Sequence, residues 1–363
     1  MAAAPLVLLL KRRRPEVRVL VTTVTDAGNR VANEKLSQVD TVLYFPLDFP
    51  GTVKRALEAI RPRLVLLTET ELWPNFLRAC ARQRIPVVLI NGRLSHRSFR
   101  WYRLVKPFFR KVLQGIELFC MQSELDAERI VALGAPLGKV RVLGNLKFDA
   151  LASSWTDGIG LREEFGLKED SPLFIAGSTH RGEEETVLHA FSRVKASFPH
   201  LVLILAPRHL ERLPEVENLL KDRGFPFIRR TQLAGVKGKG QGVASVILLD
   251  TMGELQQLYA LGGIVFVGGS LVPVGGHNIL EPAQYSRTIL FGPHMENLAE
   301  ISELFLARGA AVRIKDREEL SLKLLELLGN PNLAMSLGQA AFSLVASHGG
   351  AAAKTAALLE AYL

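Results

Sequence analysis

Gly263-Ile264-Val265-Phe266-Val267-Gly268-Gly269-Ser270-Leu271-Val272-Pro273-Val274-Gly275-Gly276-His277-Asn278-Ile279-Leu280-Glu281-Pro282 is the stretch on which the fold class turns. Residues 263–267 are apolar throughout, the pattern of a parallel strand covered on both faces. Two glycine pairs follow, which let backbone come close to a ligand, and residues 278–284 then read as a helix opening. Strand, glycine turn and helix start in that order place N–H groups and a positive dipole end where an anion such as a phosphate would sit. Glu281 falls in the first turn of that helix, where it can accept hydrogen bonds from a ribose. A turn that merely closes an α/β unit has similar composition; the cluster of His277, Asn278 and Glu281 favours a ligand site.

Outward from this stretch, apolar runs recur at 173–176, 201–206, 246–249, 288–291 and 311–314, with helical patterns near 183–198, 254–261 and 298–307. An earlier series at 17–23, 64–68, 86–90, 118–121 and 140–143 has the same alternation. Strands alternating with helices predict parallel sheets. The expected class is α/β, with two Rossmann-like domains facing across a cleft and ligands beyond the carboxyl ends of the strands. The expected boundaries are 1–150, 151–350 and a last helix at 351–363. Ser153, Ser154, Thr156, Asp157, Gly158 and Gly160 read as a linker, and 235–242, with Lys237 and Lys239, as a mobile loop.

Composition narrows the function. The chain has 363 residues, 48% hydrophobic and 22% charged, which is globular and long enough for two domains. Lys plus Arg number 45 against 36 Asp plus Glu, a net charge of +9, so the partner is expected to be anionic. Cys80 and Cys120 lie far apart and suggest neither a disulfide framework nor a zinc site. Residues 2–10 are apolar and Lys11, Arg12, Arg13 and Arg14 follow. Nine apolar residues fall short of the roughly 20 a spanning helix needs, and the charge lies on the wrong side for a signal peptide. A helix leading through Pro15 into a strand is the expected reading.

Several loops after these strands carry chemistry. Ser178, Thr179 and His180 follow one strand, Pro207, Arg208 and His209 the next, and Met252, Gly253 and Glu254 a third. Arg208 suits a phosphate, because guanidinium donors match phosphate oxygens in pairs. Any one such loop is weak evidence; four in register carry more weight. In the first series Glu69 and Glu71 follow an apolar run directly, and capping of the helix at Pro74 accounts for only one of them. Lys147 falls near the expected domain junction. Residues 91–111 interleave cations with large aromatics, as an amphipathic membrane-surface segment does. Stacking on single-stranded nucleic acid and an ordinary surface helix are the rival readings of it. No metal-binding or Gly-x-x-x-x-Gly-Lys-Ser/Thr motif is found.

Glu69-Thr70-Glu71-Leu72-Trp73-Pro74-Asn75, Asn91-Gly92-Arg93-Leu94-Ser95, Gly144-Asn145-Leu146-Lys147-Phe148-Asp149, Ala206-Pro207-Arg208-His209 and the glycine-rich loop occur together and in this order. With them the chain resembles the bacterial 3-deoxy-D-manno-octulosonic acid (Kdo) transferases from about Ala2 to the C-terminus. The resemblance implies a GT-B fold, a CMP-Kdo donor, a lipid A precursor as acceptor and inverting, metal-independent transfer at the cytoplasmic face of the bacterial inner membrane. It implies no cofactor, and no nucleic acid among the partners. Matched motif by motif, CMP binding falls to Pro207, Arg208, Met252, Gly253, Glu254, Asn278, Ile279, Leu280 and Glu281. Glu69 and Lys147 match positions of transition-state stabilisation. Arg97, Arg100, Arg103 and Lys106 become the candidates for contact with the acceptor or an anionic membrane surface.

One departure from the family pattern is expected to matter. Its general base, a glutamate in a Gly-Glu turn after the first strand, falls ahead of Met1, as do that strand and a membrane anchor. The expectation is a first domain incomplete at its N-terminus, from a start assigned too late, and a chain that lacks its base as it stands. The alternative is a non-catalytic CMP-sugar or lipid-binding protein.

Overall fold

The computed structural model describes residues 3–36, 38–151, 158–168, 171–235 and 244–363. The chain forms two compact units, Met1–Ala150 with His348–Leu363, and Leu151–Ser347. Of the expected linker, Ser153, Ser154, Thr156 and Asp157 lie outside the described residues. Gly158 and Gly160 are corrected to the helix Gly158–Glu164. The expected loop at 235–242 also lies outside, apart from Gly235.

The first unit holds two parallel sheets. One pairs β1 (Leu20–Thr23) with β2 (Thr41–Tyr44); the other runs β3 (Val65–Thr68), β4 (Val87–Gly92), β5 (Leu118–Met121), β6 (Val140–Val142) in that order. Strand β2 is not foreshadowed in the sequence because it is largely exposed and has no buried apolar run. Leu6 and Leu10 of the helix Ala4–Arg13 and Ala351, Ala352, Ala356 and Leu359 of the helix Ala351–Leu359 bury against Val88, Ile90 and Cys120. Asp149 ties that last helix down by accepting the N–H groups of Gly350 at 2.6 Å and Ala352 at 2.9 Å.

The second unit is built on seven parallel strands: β7 (Leu173–Thr179), β8 (Val202–Pro207), β9 (Phe227–Arg229), β10 (Val246–Leu248), β11 (Ile264–Val267), β12 (Thr288–Phe291) and β13 (Val312–Arg313). Their order is β13-β12-β11-β7-β8-β10-β9. Every residue of β8, β10, β11 and β12 is buried, which is why these runs carry no polar alternation. Val187, Phe191 and Val194 of the helix Glu183–Lys195, spaced by four and three, cover one face with no exposure. Burying each stabilises the fold by roughly 1.5–3 kcal/mol. Edge strand β9 is half-buried and was not foreshadowed.

Candidate functional site

Strand β7 lies mid-sheet with β8 on one side and β11 on the other, so the winding of the second unit reverses between β7 and β11. Such a reversal opens a crevice beyond the carboxyl ends of the strands. There the loop after β11 curls, and Gly269, Ser270 and Leu271 donate their N–H groups to one carboxylate at 2.7, 3.0 and 2.9 Å. That carboxylate is Glu183, which has no exposed surface and also accepts the N–H of His180 at 2.9 Å. A concave run of N–H groups is an anion site, but here the anion is the chain's own. The N–H groups of Gly269, Ser270 and Leu271 are therefore taken within the chain, and this part of the glycine-rich turn holds Glu183 rather than a phosphate. The helix also begins later than expected, at Leu280–Gln284. Asn278 stays outside it, accepting the N–H of Leu280 at 3.1 Å and donating to Glu281 Oε1 at 3.0 Å.

With Glu183 holding the turn, His277 meets His180 from the loop after β7. Their Nε2 atoms are 2.8 Å apart and the rings lie 7° from parallel. Gly269 lies under them, where a Cβ would come 2.9 Å from His277 Cδ2. His209, after β8, sets its ring edge-on to His180 with centroids 5.5 Å apart. Burial, then the charges of Arg208, His180 and His209, push His277 down from 6.5 to about 4. Burial, then His209, also lowers His180. Arg208 is exposed, its backbone N–H fixed on Thr179 O at 2.9 Å. Neighbouring charges are paired: Arg212 with the buried Glu184 at 2.8 Å, Arg181 with Glu215 at 2.9 Å. Among the described residues no carboxylate pairs with Arg208.

The other expected nucleotide contacts divide by exposure. Pro207, Ile279 and Leu280 are buried, so they offer a ligand backbone only. Met252 is 65% exposed and Gly253 turns at φ 86°. Glu254 accepts from Thr251 Oγ1 at 2.7 Å and pairs with Arg230 at 3.2 Å, which fixes its carboxylate. Glu281, held by Asn278, raises the phenol of the buried Tyr259 together with burial, the larger cause.

The carboxyl ends of β3 to β6 in the first unit gather a second polar group. Glu69 and Asn91 follow or end adjacent strands with left-handed backbone, φ 61° and 51°. Buried Asn91 accepts the N–H of Leu146 on its side chain and Gln122 Nε2 on its backbone, both at 2.9 Å. Asn145 donates to Gln122 Oε1 at 2.9 Å and takes the N–H of Lys147 at 3.0 Å. The motifs at 91–95 and 144–149, distant in sequence, thereby form one network that positions Lys147. Neither Thr70 nor Glu71 caps the helix Pro74–Arg82. Asp48 does, accepting the N–H groups of Asn75 and Phe76 at 3.1 and 2.8 Å.

Residues 1–150 match the family model described as 3-deoxy-D-manno-octulosonic-acid transferase (kdotransferase). Over 367 residues the chain is 34% identical to the 3-deoxy-D-manno-octulosonic acid transferase of Haemophilus influenzae, covering 100% of this chain and 84% of that one. The chain belongs to the Kdo transferase family. It is also 39% identical over 316 residues to a bifunctional glycosyltransferase/methyltransferase of Fusobacterium nucleatum, covering 86% of this chain and spanning about half, 48%, of that protein. UDP-GlcNAc 2-epimerase from Neisseria meningitidis shares the fold, with a TM-score of 0.62, 15% identity and coverage of 99% and 95% of the two chains. Two α/β units with parallel sheets are the class expected of a GT-B glycosyltransferase.

In this member of the Kdo transferase family the basic, aromatic segment is two helices, His96–Leu104 and Lys106–Leu113. Phe109 is core, stacked on Tyr102 at 4.1 Å, whereas Trp101, Leu104 and Phe108 are 64%, 74% and 46% exposed. Arg97, Arg100, Arg103 and Lys106 are exposed among them. No helix of the described residues is long and apolar enough to cross a membrane. Sequence reasoning missed Glu183, Gln122 and the pairing of His180 with His277. The first two look like ordinary helix-start and strand-end residues, and only the position of His277 inside the glycine loop was a signal.

Proposed function

We propose that the chain transfers Kdo from CMP-Kdo to a lipid A precursor in lipopolysaccharide synthesis, with inversion and without a metal ion, at the cytoplasmic face of the inner membrane. The observation that carries the donor half is the convergence of the loops after β11, β7 and β8 at the sheet's reversal, with Arg208 the cation there that no carboxylate neutralises among the described residues. Arg208 pairs with the phosphate and stabilises it as it leaves, the electrostatic role a metal plays elsewhere. Asn278 sets Glu281 for the ribose, and Met252, Gly253 and Glu254 supply the exposed turn beside it. Pro207, Ile279 and Leu280 contribute backbone. Glu69 and Lys147 stabilise charge in the transition state, Lys147 being held by the Asn145 network. Attack by the acceptor hydroxyl also needs a carboxylate to take its proton.

The test is transfer from CMP-Kdo to a lipid A precursor, in EDTA, by the 363-residue chain and by a chain extended with the in-frame sequence ahead of Met1. Transfer by either, reduced at least a hundredfold in R208A, is the expected result. CMP binding with no transfer by both chains sinks the enzymatic reading in favour of a binding protein.

A further inference from the structure

We propose that the His180–His277 pair is a proton-uptake site for the donor: it binds a proton when the nucleotide phosphate arrives, and so supplies positive charge only while the anion is present. The inference rests on the CMP reading above and deepens it, assigning a role to two side chains which that reading leaves idle.

Two Nε2 atoms 2.8 Å apart require one to donate and the other to accept, so the pair shares one proton and cannot be doubly protonated in this geometry. Burial and the nearby basic groups oppose even a single positive charge, with Glu184 acting the other way on His180. His209 and Arg208 approach from the loop after β8, and Arg212 from the segment beyond it. The carboxylates within reach are committed elsewhere. Glu184 is bound by Arg212 and by Thr179 Oγ1 at 3.0 Å, and Glu183 by backbone N–H groups from two loops. Glu211 lies 3.6 Å from His209 on its own loop. Without an added anion the pair is therefore neutral at physiological pH, beside the Arg208 guanidinium, which no carboxylate pairs among the described residues.

A phosphate anion beside Arg208, the monoanionic diester of the donor or the near-dianionic monoester of CMP, reverses the local field. An opposite charge within about 4–6 Å favours the protonated imidazole, the direction that burial and the neighbouring cations now oppose. The pair then becomes imidazolium hydrogen-bonded to imidazole, with the shared proton still between the Nε2 atoms. The added proton sits on a ring Nδ1, where it can face the anion. The pair's position supports this. It joins the loops on either side of the reversal, where a doubly wound sheet presents its ligand. Among the described residues there is no cluster of three or more metal-ligating side chains to give the imidazoles another task.

The experiment is isothermal titration calorimetry of the 363-residue chain with CMP and with cytidine at about pH 7.5, in buffers of differing ionisation enthalpy. The expected result is uptake of about one proton per CMP and none per cytidine, with CMP affinity rising about tenfold per unit as pH falls from about 8 to 7. H277N and H180Q, which keep a hydrogen-bonding group but cannot be protonated, are expected to bind CMP without uptake and with a flat pH profile. CMP binding without uptake by the unmodified chain, or uptake that persists in both variants, overturns the proposal and leaves the CMP reading standing. Failure of the unmodified chain to bind CMP overturns both. The comparison of CMP with cytidine needs no variant, so a variant that does not fold leaves the test decisive.

Discussion

Glu183 places a full negative charge, out of contact with solvent, against four backbone N–H groups from two loops. Glutamine in its place would turn an N–H₂ group toward those donors. E183Q is expected to lose about 3 kcal/mol of stability, read by urea denaturation, because charge-assisted bonds are lost and buried donors left unmet. His277 has a pH signature. Its folded value, about 4, lies below its ordinary 6.5, so between these limits the unfolded chain binds a proton that the folded chain does not. Its contribution is present above about pH 6.5 and lost as pH falls toward 4. Thermal melts from pH 7 to 4.5 should show a shallower decline in H277N than in the unmodified chain. Neither role could be read in sequence. Glycine turns advertise free N–H groups, but nothing local says that a carboxylate 86 residues away will take them. Arg208 and Asn278 could be picked out as candidates because strand ends and polar turns carry their own signals, and their proposed roles await the CMP test.

The junction of β7 and β11 depends on Gly268. A Cβ there would lie 2.4 Å from Ser178 O and 2.7 Å from Ser178 C, and strand backbone cannot yield as a flexible side chain does. G268A is expected to destabilise the chain by about 1–3 kcal/mol and to lower CMP affinity by separating His277 from His180. G51A, where nothing lies within 4 Å, is the control and should change neither in a denaturation and calorimetry comparison. Element by element, legibility followed burial. Strands β8, β11 and β12, covered on both faces, stood out as apolar runs. Strands β2 and β9, exposed or half-buried, looked like loop. Asp48 and Asp149 cap helices from positions distant in sequence, and the pairing of a cap with a remote helix is a property of the fold rather than of a window of sequence.

Across the whole molecule a net charge of +9 and the exposed Trp101, Leu104 and Phe108 among Arg97, Arg100, Arg103 and Lys106 fit an anionic lipid surface. Each cation near such a surface contributes about 1 kcal/mol. The chain is expected to sediment with phosphatidylglycerol vesicles at low salt and to release in about 0.5 M salt, while R100E/R103E binds at least tenfold more weakly. Sedimentation that ignores both salt and the charge reversal would remove the surface from consideration. The two sheets of the first unit have a different consequence. Among the described residues β1 pairs only with β2 and β3 only with β4, so each has one edge without a strand partner. Leu20, Leu43 and Tyr44, 36%, 43% and 57% exposed, lie on the smaller sheet. An unpaired edge is a template for another strand. In the test tube this makes for an unsociable monomer's opposite: scattering mass should climb with concentration, and L20K/L43K should hold the chain to a single, concentration-independent size.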